Sequence, residues 1–332
     1  MGKITIEEVA AEAGVSVTTV SHVYSGHRPV NVETQRHVRE VAVRLGYRPS
    51  AVAQSLRSSR THTIMIVVPD ITNSFYPEYA RAVQDAVGGS GYHSLLCNTD
   101  AREDEELAFL DEAISRRLDG VVFTGFRVPP TALVPLEEAG IAIVNIGRSV
   151  EGKAIDSVRF DDRAAEAEAT EFVLDRYGPS VALIYGDESA PVGRERRDGF
   201  ELALRNHGIS PSAAAIVGTA FTRAGGVRGM ELLLDRGERP RAVVCANDLI
   251  ALGVMDVARE RSLRIPEDIA VVGYDDIDAA TIVTPRLSTV RTDARKLGAV
   301  AGGLLLDRMT GAIDGPGRHI TIAHEFVVRE SA

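Results

Sequence analysis

Cysteine is scarce in this sequence, and long apolar runs are missing from it. Cys97 and Cys245 are its two cysteines, too few for a disulfide framework or a four-cysteine zinc site, so we expect a reducing compartment. Apolar stretches such as 64–68 (IMIVV) have the length of a strand and fall far short of the ~20 residues that cross a bilayer. The N-terminus has no apolar segment of signal-peptide length. We therefore expect a cytoplasmic protein that does not contact a membrane.

The composition is that of a folded chain with more than one domain. Hydrophobic residues make up 45% and charged residues 25% of the 332 residues, which excludes a disordered or collagen-like chain. Single hydrophobic cores stop growing at roughly 250–300 residues. The length therefore predicts about two domains.

The net charge of −10 argues at first against a nucleic-acid partner, because phosphates attract positive charge. The charge is unevenly distributed, however. Residues 1–60 contain 8 Lys and Arg and 5 Glu, a balance of +3, and the other 272 residues hold 29 basic and 42 acidic groups, a balance of −13. The sequence therefore predicts a small basic module, residues 1–60, followed by a large acidic one, residues 61–332.

The basic module has the signals of three short helices. Thr5 and Glu8 form a capping-box pattern that begins the first helix, and Gly14 ends it. Ser16 can cap a second helix over about 17–24, and Asn31 can cap a third. This order predicts a helix-turn-helix unit, whose second helix can enter the major groove of DNA. The pattern alone leaves open a structural three-helix bundle.

The second helix has an inward and an outward face. Val20 and Val23 are expected to point into the core of the bundle. The outward side chains are expected to be Val17, Thr18, Ser21 and His22. A further short apolar helix, at about 50–57, follows Pro49 and is too short to be stable alone. It is interpreted as a hinge that orders on binding, and a plain linker is the alternative.

The acidic module alternates β-branched apolar runs with amphipathic segments of helical length. The predicted strands are 63–68, 93–97, 120–124, 142–146, 181–185, 242–245 and 269–274. Apolar strands separated by helices predict an α/β fold of two lobes, each a parallel sheet covered by helices on both faces. Ligands of such sheets bind beyond the carboxyl ends of the strands. The polar residues at those ends are Asp70, Asn73, Asn98, Asp100, Asn145, Arg148, Asn247, Asp248, Asp275 and Asp276.

Enzyme motifs are not found. No glycine-rich dinucleotide fingerprint, phosphate loop or nucleophile elbow follows a predicted strand. The pairs 161–162 and 275–276 (both Asp-Asp) are interpreted as hydroxyl-binding or helix-capping carboxylates, and His319 and His324, in a predicted terminal strand, as packing residues without metal-spaced partners. We therefore expect a binding protein with no catalytic residues, no cofactor and no metal.

These patterns together resemble the lactose-repressor (LacI/GalR) family of bacterial transcription regulators. The segment 5–21 (TIEEVAAEAGVSVTTVS) is similar to the family's headpiece. The similarity continues over the whole chain in segments 43–49 (VRLGYRP), 53–56 (AQSL), 68–75 (VPDITNSF), 96–100 (LCNTD), 117–120 (RLDG), 196–200 (RRDGF), 246–253 (ANDLIALG), 272–276 (VGYDD) and 285–293 (PRLSTVRTD).

The resemblance implies a homodimer that binds a near-palindromic double-stranded operator. The implied base-reading residues are Ser16, Val17, Thr18 and His22, with His22 standing where the family usually has arginine. The implied phosphate contacts are Thr5, Thr19, Ser21, Asn31 and Thr34. The implied hinge residues are Ala53 and Leu56, the latter as a wedge in the minor groove. No leucine-heptad segment follows the terminal strand, so we expect a dimer rather than a tetramer.

The resemblance also implies a two-lobed effector domain like the periplasmic sugar-binding proteins. Lobe 1 is expected at about 62–160 plus 292–318, and lobe 2 at about 161–291 plus 319–332. The implied effector-binding residues are Asn73, Phe75, Arg148, Arg196, Asn247 and Asp275, a mixture that suits the hydroxyls of a sugar or polyol. Gly147 and Arg148 stand where the family often has aspartate, and Arg148 or Arg127 is expected to favour a ligand with an acidic group.

These observations predict a DNA-binding transcriptional repressor whose operator affinity is controlled by a small sugar, polyol or sugar acid. One alternative is a regulator in which the ligand acts as a co-repressor and strengthens operator binding. A sugar-binding transport protein is a less favoured alternative, since the sequence has a basic headpiece and no signal segment. An enzyme of sugar metabolism is the third.

Overall fold

The computed structural model describes residues 4–25, 28–48, 60–187 and 189–332. The chain separates into two units, residues 1–62 and 63–332, with the boundary two residues later than the sequence predicted. The hinge helix predicted at about 50–57, with Ala53 and Leu56, lies outside the described residues. The two units are described separately below.

The first unit contains the three helices that the capping signals predicted: α1 (Ile6–Glu12), α2 (Val17–Ser25) and α3 (Val32–Leu45). The capping box is formed, with the Thr5 backbone N–H donating to Glu8 at 2.7 Å and Glu8 N–H donating to the Thr5 hydroxyl at 3.4 Å. The turn after α1 contains Gly14 at φ +63°, a left-handed conformation that glycine adopts without strain. These local signals set the lengths of the helices.

The three helices bury one small apolar core. Val9, Val20, Val38 and Val41 are at most 2% exposed within it, and Val23 is 3% exposed. The inward positions predicted for Val20 and Val23 are thus confirmed. Burial of these side chains contributes most of the stability of such a short bundle, since helices of this length are marginal alone.

The second unit contains two sheets, each of six strands. The described strands are β1 (Thr63–Val68), β2 (His93–Asn98), β3 (Gly120–Phe123), β4 (Ala142–Ile146), β5 (Asp156–Phe160), β6 (Val181–Tyr185), β7 (Ala215–Gly218), β8 (Ala242–Cys245), β9 (Ala270–Asp275), β10 (Ser288–Arg291), β11 (His319–Ile322) and β12 (Glu325–Val327). The first sheet has the order β11-β5-β4-β3-β1-β2 and the second β12-β10-β9-β8-β6-β7. All pairs are parallel except β10 with β12.

Helices cover both faces of each sheet, as the apolar strands predicted. They are α4 (Phe75–Gly88), α5 (Glu103–Ser115), α6 (Val134–Glu138), α7 (Asp162–Tyr177), α8 (Pro191–Asn206), α9 (Arg223–Asp235), α10 (Asp248–Glu260), α11 (Asp278–Ile282) and α12 (Ala294–Thr310). In β1, Ile64 and Ile66 pack into the core on one face of the sheet, and Met65 and Val67 into the core on the other. This two-sided burial explains why the strand has no polar alternation.

Glycines allow the helices to pack closely. A Cβ atom on Gly298 of α12 would lie 2.3 Å from the carbonyl oxygen of Tyr79 in α4. A Cβ atom on Gly253 of α10 would lie 2.1 Å from the carbonyl oxygen of Arg223 in α9. Contacts this short are not sterically possible, so a larger residue at either position would force the helices apart.

The predicted end of lobe 1 is wrong by one strand. The sequence assigned 319–332 to lobe 2, but β11 pairs with β5 in the first sheet, and only β12 joins the second. The two short strands are separated by Ala323 and His324, where the chain passes from one sheet to the other. Their side-chain patterns are alike, so only the pairing of distant strands decides which sheet each one joins. The other crossings follow β5, which ends at Phe160, and β10, which ends at Arg291.

A buried ion cluster ties the last segments of lobe 1 together. Asp156 is fully buried and accepts hydrogen bonds from the guanidinium groups of Arg308 and Arg318, each at 2.8 Å. Although burial opposes it, these bonds hold the pKa of Asp156 below its ordinary value. Arg308 lies on α12 and Arg318 directly precedes β11, so the carboxylate fixes β11 against the rest of the lobe.

Candidate functional site

Helix α2 of the first unit presents a polar and partly exposed N-terminal surface. The Ser16 hydroxyl caps the helix, accepting from Thr19 N–H at 3.1 Å and lying 2.9 Å from the Thr19 hydroxyl. Val17 is 40% exposed and Thr18 is also exposed. A helix whose first residues carry a methyl surface and a hydroxyl has the groups that read thymine methyls and base edges in the major groove.

Two of the outward positions predicted on α2 differ from the structure. Ser21 and His22 are half-buried rather than fully outward, and Nδ1 of His22 is buried without a hydrogen-bond partner in the described residues. Both lie one turn further along α2 than Val17 and Thr18, where the side chains are partly covered by the rest of the bundle. His22 can therefore offer only its Nε2 edge to DNA.

The residues predicted to contact phosphates are divided between caps and half-buried positions. The Thr5 hydroxyl accepts from Glu8 N–H, which leaves its own O–H free to donate. The Asn31 amide oxygen accepts from Glu33 N–H at 2.8 Å, which leaves its NH₂ group to donate. Thr19 and Thr34 are half-buried. Capping hydroxyls and amides at helix N-termini are suitable phosphate donors.

A cavity of about 750 Å³ lies between the carboxyl ends of the two sheets in the second unit. It contains every predicted effector-binding residue: Asn73, Phe75, Arg148, Arg196, Asn247 and Asp275. The first three come from lobe 1 and the last three from lobe 2. The volume is in the range of cavities that enclose small-molecule ligands.

Arg196 of α8 is the central cation of this cavity. It is 8% exposed, and its Nε and Nη2 donate to the Asp162 carboxylate at 3.0 and 2.9 Å. Its Nη1 donates to the carbonyl of Ala246, and its guanidinium lies 3.5 Å from the ring centroid of Tyr274. Although burial opposes it, Asp162, Tyr274 and Asp275 raise the pKa of Arg196. The group is therefore a fixed positive charge with its plane held by stacking.

Asp275 joins the two lobes at the edge of Arg196. Its carboxylate lies 4.0 Å from the guanidinium of Arg196, and the side chain of Asn73 in lobe 1 favours its charged form. Burial raises the pKa of Asp275 to about 7, against the opposing effects of Arg196 and Asn73. Its backbone has φ +113°, a strained conformation for a residue with a side chain. Strain at a ligand-cavity residue is typical of functional positions.

Both polar groups of the Asn247 side chain are hydrogen-bonded to the protein, which the sequence did not predict. It is 2% exposed, caps α10 by accepting from Ile250 N–H at 2.8 Å, and donates to the carbonyl of Phe221 at 3.1 Å. Phe221 itself lines the cavity. Asn247 therefore positions the segment that carries Phe221 and offers a ligand only its remaining amide hydrogen and lone pair.

Arg127 and Arg148 are paired with carboxylates of the opposite lobe. Arg127 Nη2 donates to Asp187 at 2.7 Å, and the Arg148 guanidinium donates to Glu195 at 3.2 Å. Phe126 of lobe 1 also packs against Phe221 of lobe 2, with ring centroids 5.6 Å apart. The two lobes are thus connected across the cavity by two ion pairs and an aromatic contact.

A buried glutamate shapes the lobe 1 wall of the cavity. Glu106 of α5 is fully buried and accepts from the backbone N–H groups of Phe126, Arg127 and Val128 at 2.7, 3.1 and 2.9 Å. Three backbone donors satisfy a buried carboxylate without a cation. Glu106 thereby fixes the loop after β3, which carries two of the cross-lobe contacts.

Sequence reasoning missed several cavity residues. Tyr274, Phe126 and Phe221 hold or line the site and were not predicted, and Asp162 was predicted only as one of a pair of hydroxyl-binding or helix-capping carboxylates. Asp162 and Tyr274 stand beside the ends of β5 and β9, so their positions were a usable signal. Phe126 and Phe221 are in loops after β3 and β7, where an aromatic residue has no periodic pattern to mark it.

Within residues 4–25, 28–48, 60–187 and 189–332, no helix is long and apolar enough to span a bilayer. The same residues contain no cluster of three or more His, Cys, Asp or Glu side chains placed to hold a metal ion.

The geometry defines a class of protein, namely a two-lobed ligand-binding domain joined to a helix-turn-helix unit. Residues 5–50 match the family model of bacterial regulatory proteins of the lacI family, and residues 173–332 match the periplasmic binding protein-like domain. Catabolite control protein A of Priestia megaterium is 34% identical over 308 residues, which are 92% of each chain. The chain therefore belongs to the lacI family and is a DNA-binding transcriptional regulator.

Other relatives cover almost the whole chain. The transcriptional repressor CytR of Escherichia coli K12 is 29% identical over 98% of this chain and 96% of its own length. The structure of the transcriptional regulator CelR in complex with cellobiose covers 99% of this chain and 100% of its own, with 29% identity and a TM-score of 0.74. The lac repressor bound to ONPG covers 100% of both chains with a TM-score of 0.86 and 24% identity, a likeness that shows the fold.

Proposed function

We propose that the protein is a homodimeric repressor whose affinity for a near-palindromic operator is controlled by a sugar-like effector bound in the 750 Å³ cavity. The observation that carries the proposal is the arrangement around Arg196. A guanidinium, the Asp275 carboxylate and the Asn73 amide converge from two lobes on one cavity. Paired donors and acceptors of this kind suit the vicinal hydroxyls of a sugar.

The effector class is supported by the relatives. The CelR structure is a complex with cellobiose, and a lacI-family regulator from Enterococcus faecium, 27% identical with a TM-score of 0.74, has bound ribose. In this chain Phe221 and Phe126 add apolar surface beside the polar groups. A sugar ring offers both kinds of surface, since its C–H face packs on aromatic rings while its hydroxyls bond at the edges.

The headpiece would bind DNA through α2. Val17 and Thr18 are the exposed side chains at its N-terminus and would contact base edges, together with Ser16 and the accessible edge of His22. Thr5 and Asn31 would donate to phosphates, with Thr19, Ser21 and Thr34 beside them. Ala53 and Leu56 would form the minor-groove hinge. Because phosphate contacts position without specifying sequence, operator choice would rest on α2.

An exposed apolar edge of lobe 1 supports the homodimer. Leu95 and Leu96 of the edge strand β2 are 40% and 37% exposed, and Ile71 and Leu107 of the same lobe are 44% and 43% exposed. An uncovered edge strand with apolar side chains is an aggregation hazard in a monomer. We place the contact between the two copies on this edge.

Effector control would act through the lobe contacts. A ligand shifts an equilibrium between two lobe arrangements only by its differential affinity for them. A sugar seated between Arg196 and Asn73 would change the interaction of Asn73 with Asp275, which joins the lobes, and would therefore bind the two arrangements differently. The lobe arrangement would in turn control the affinity for the operator.

The first test is operator binding by the full-length protein. Gel-shift and footprinting on the DNA around its own gene should show one near-palindromic protected site with salt-sensitive affinity. Leu56→Ala should weaken binding to that site much more than binding to unrelated DNA. No protected site, or equal losses on both DNAs, would contradict the proposal.

The second test is effector control. A sugar that raises the Tm of the protein should release it from the operator, and a sugar that tightens the complex instead would identify a co-repressor. Asp275→Asn should abolish the effect of the sugar while operator affinity stays unchanged. Asp198→Asn, the same change on an exposed position of α8 outside the cavity, is the matched control. An intact sugar response in Asp275→Asn would refute the assigned site.

A further inference from the structure

The cavity is rich in arginine, and most of these arginines are already engaged. Arg127 and Arg148 are paired with Asp187 and Glu195. Arg196 is paired with Asp162, and Arg194 donates to the carbonyl of Ser189 at 2.9 Å. These four guanidinium groups therefore hold the protein together around the cavity. Because their guanidinium groups already have carboxylate partners, Arg127 and Arg148 are less available to an acidic ligand group than an unpaired arginine would be.

Arg159 of β5 differs from the other four. It lines the cavity and is exposed, and its guanidinium has no hydrogen bond or ion pair to any described residue. Its neighbours along the strand, Val158 and Phe160, are both buried in the lobe 1 core, so the strand alternation directs Arg159 to the other face. The strand thus fixes the base of the Arg159 side chain, and within the described part of the chain its guanidinium is left to solvent or to a ligand.

The adjacent strand end also leaves Arg159 without a carboxylate. Gly147 follows β4 and donates its N–H to the carbonyl of Val158 at 2.9 Å, which places it beside Arg159 in the sheet. Gly147 has φ +133° and no side chain, and aspartate at this conformation would be strained. Position 147, beside Arg159, therefore carries no carboxylate.

We propose that the effector is a sugar or polyol that carries a carboxylate or a phosphate, and that Arg159 binds this anionic group. The inference rests on the effector site proposed above and adds the chemical class of its ligand. A guanidinium offers a planar fork of donors that matches two oxygens of either anion. An anion at Arg159 would satisfy its donors and leave the hydroxyls of the ligand for Arg196, Asn73 and Asp275.

The test compares matched neutral and anionic probes on the full-length protein. The probes are glucose, glucuronate and glucose 6-phosphate, and ribose, ribonate and ribose 5-phosphate, measured by thermal shift and by titration calorimetry. We expect at least one anionic probe to bind about tenfold or more tightly than its neutral partner, as one charge-assisted contact warrants. Comparing each sugar acid with the phosphate of the same sugar decides whether a carboxylate or a phosphate is preferred.

Three variants assign the effect to Arg159. Arg159→Gln should lower the affinity for the anionic probe about tenfold and leave that for the neutral probe unchanged. Arg159→Lys should restore part of the loss, because it keeps the charge but not the fork. Arg81→Gln removes the same charge from α4 of the same lobe, outside the cavity, and should change neither affinity.

Binding of neutral probes only, binding of no probe in the panel, or an equal loss of both affinities in Arg159→Gln would overturn the proposal. Operator binding is measured in parallel by gel shift. Neutral sugars that release an intact operator complex would uphold the proposed function while refuting the anionic ligand. Failure of the proposed function would instead be seen as loss of specific operator binding in the unmodified protein.

Discussion

Asp275 makes the stability of the effector domain depend on pH in a way that can be worked out from the structure. Its folded-state pKa of about 7 lies above the ordinary value of 3.8, so the folded protein holds a proton that the unfolded chain releases. Between these two values the unfolded state binds fewer protons, and stability must fall as pH rises. The contribution is fully present below about pH 4 and is lost by the time the pH has passed about 7.

The size of the effect follows from the width of this window. Each pH unit inside it changes the free energy of unfolding by about 1.4 kcal/mol, so a rise from about pH 5.5 to 7 should remove about 2 kcal/mol through this one carboxyl. Asp275→Asn removes the titration. Asparagine has nearly the same shape as aspartate, and it tolerates positive φ better than most residues. The variant should therefore fold, with a flatter dependence of stability on pH.

The assay is urea unfolding of the wild-type and Asp275→Asn proteins at several pH values between 5.5 and 8. Glu166, whose pKa is raised by burial to about 8, is present in both proteins, so the difference between the two curves reports the Asp275 carboxyl together with its effect on the pKa of its neighbour Asp248. We expect the variant to gain about 2 kcal/mol relative to wild type between pH 5.5 and 7. Parallel curves would refute the reasoning, because they would mean that Asp275 is ionised throughout.

Two further predictions concern packing and assembly. Gly298→Ala should destabilise the protein by roughly 1–3 kcal/mol in urea unfolding, because its Cβ would meet the Tyr79 carbonyl at 2.3 Å. Gly303 on the same helix faces open space, so Gly303→Ala should stabilise the protein by about 0.5–1 kcal/mol. Equal effects of the two substitutions would contradict the close approach of α4 and α12. The double substitution Leu95→Asp with Leu96→Asp should convert the dimer to a folded monomer, as measured by analytical ultracentrifugation and by a retained thermal unfolding transition. A dimer that persists would place the interface elsewhere.

The fold class was readable from the sequence because its signals are local. The seven predicted strands all form, with ends within one residue of those observed. Short runs of β-branched apolar residues favour buried strands, because their side chains pack well on a sheet. Thr5, Gly14 and Asn31 mark helix ends through hydrogen bonds and φ angles that involve only neighbouring residues. The whole-chain charge of −10 argues against a nucleic-acid partner, whereas the charges of the two modules taken separately do not.

The cavity was predicted in part. Polar residues after parallel strands must meet at one edge of a sheet, which is why Asn73, Arg148 and Asp275 were found. The loops after β3 and β7 follow no periodic pattern, so the apposed rings of Phe126 and Phe221 were missed.

What the sequence by itself determined is seven of the strands, their order and the strand ends that carry polar groups, because these depend on contacts within a few residues; it did not mark β5, β7 and β10. Only the tertiary structure decided that β11 joins the first sheet, since its pairing with β5 spans more than 150 residues of chain. It also decided which arginines of the cavity are neutralised. Arg148 and Arg159 look equally free in the sequence, and a carboxylate brought from the other lobe reaches only the first. Charge at a ligand site is set by such distant partners, because an ion pair depends on distance in space and not on separation along the chain.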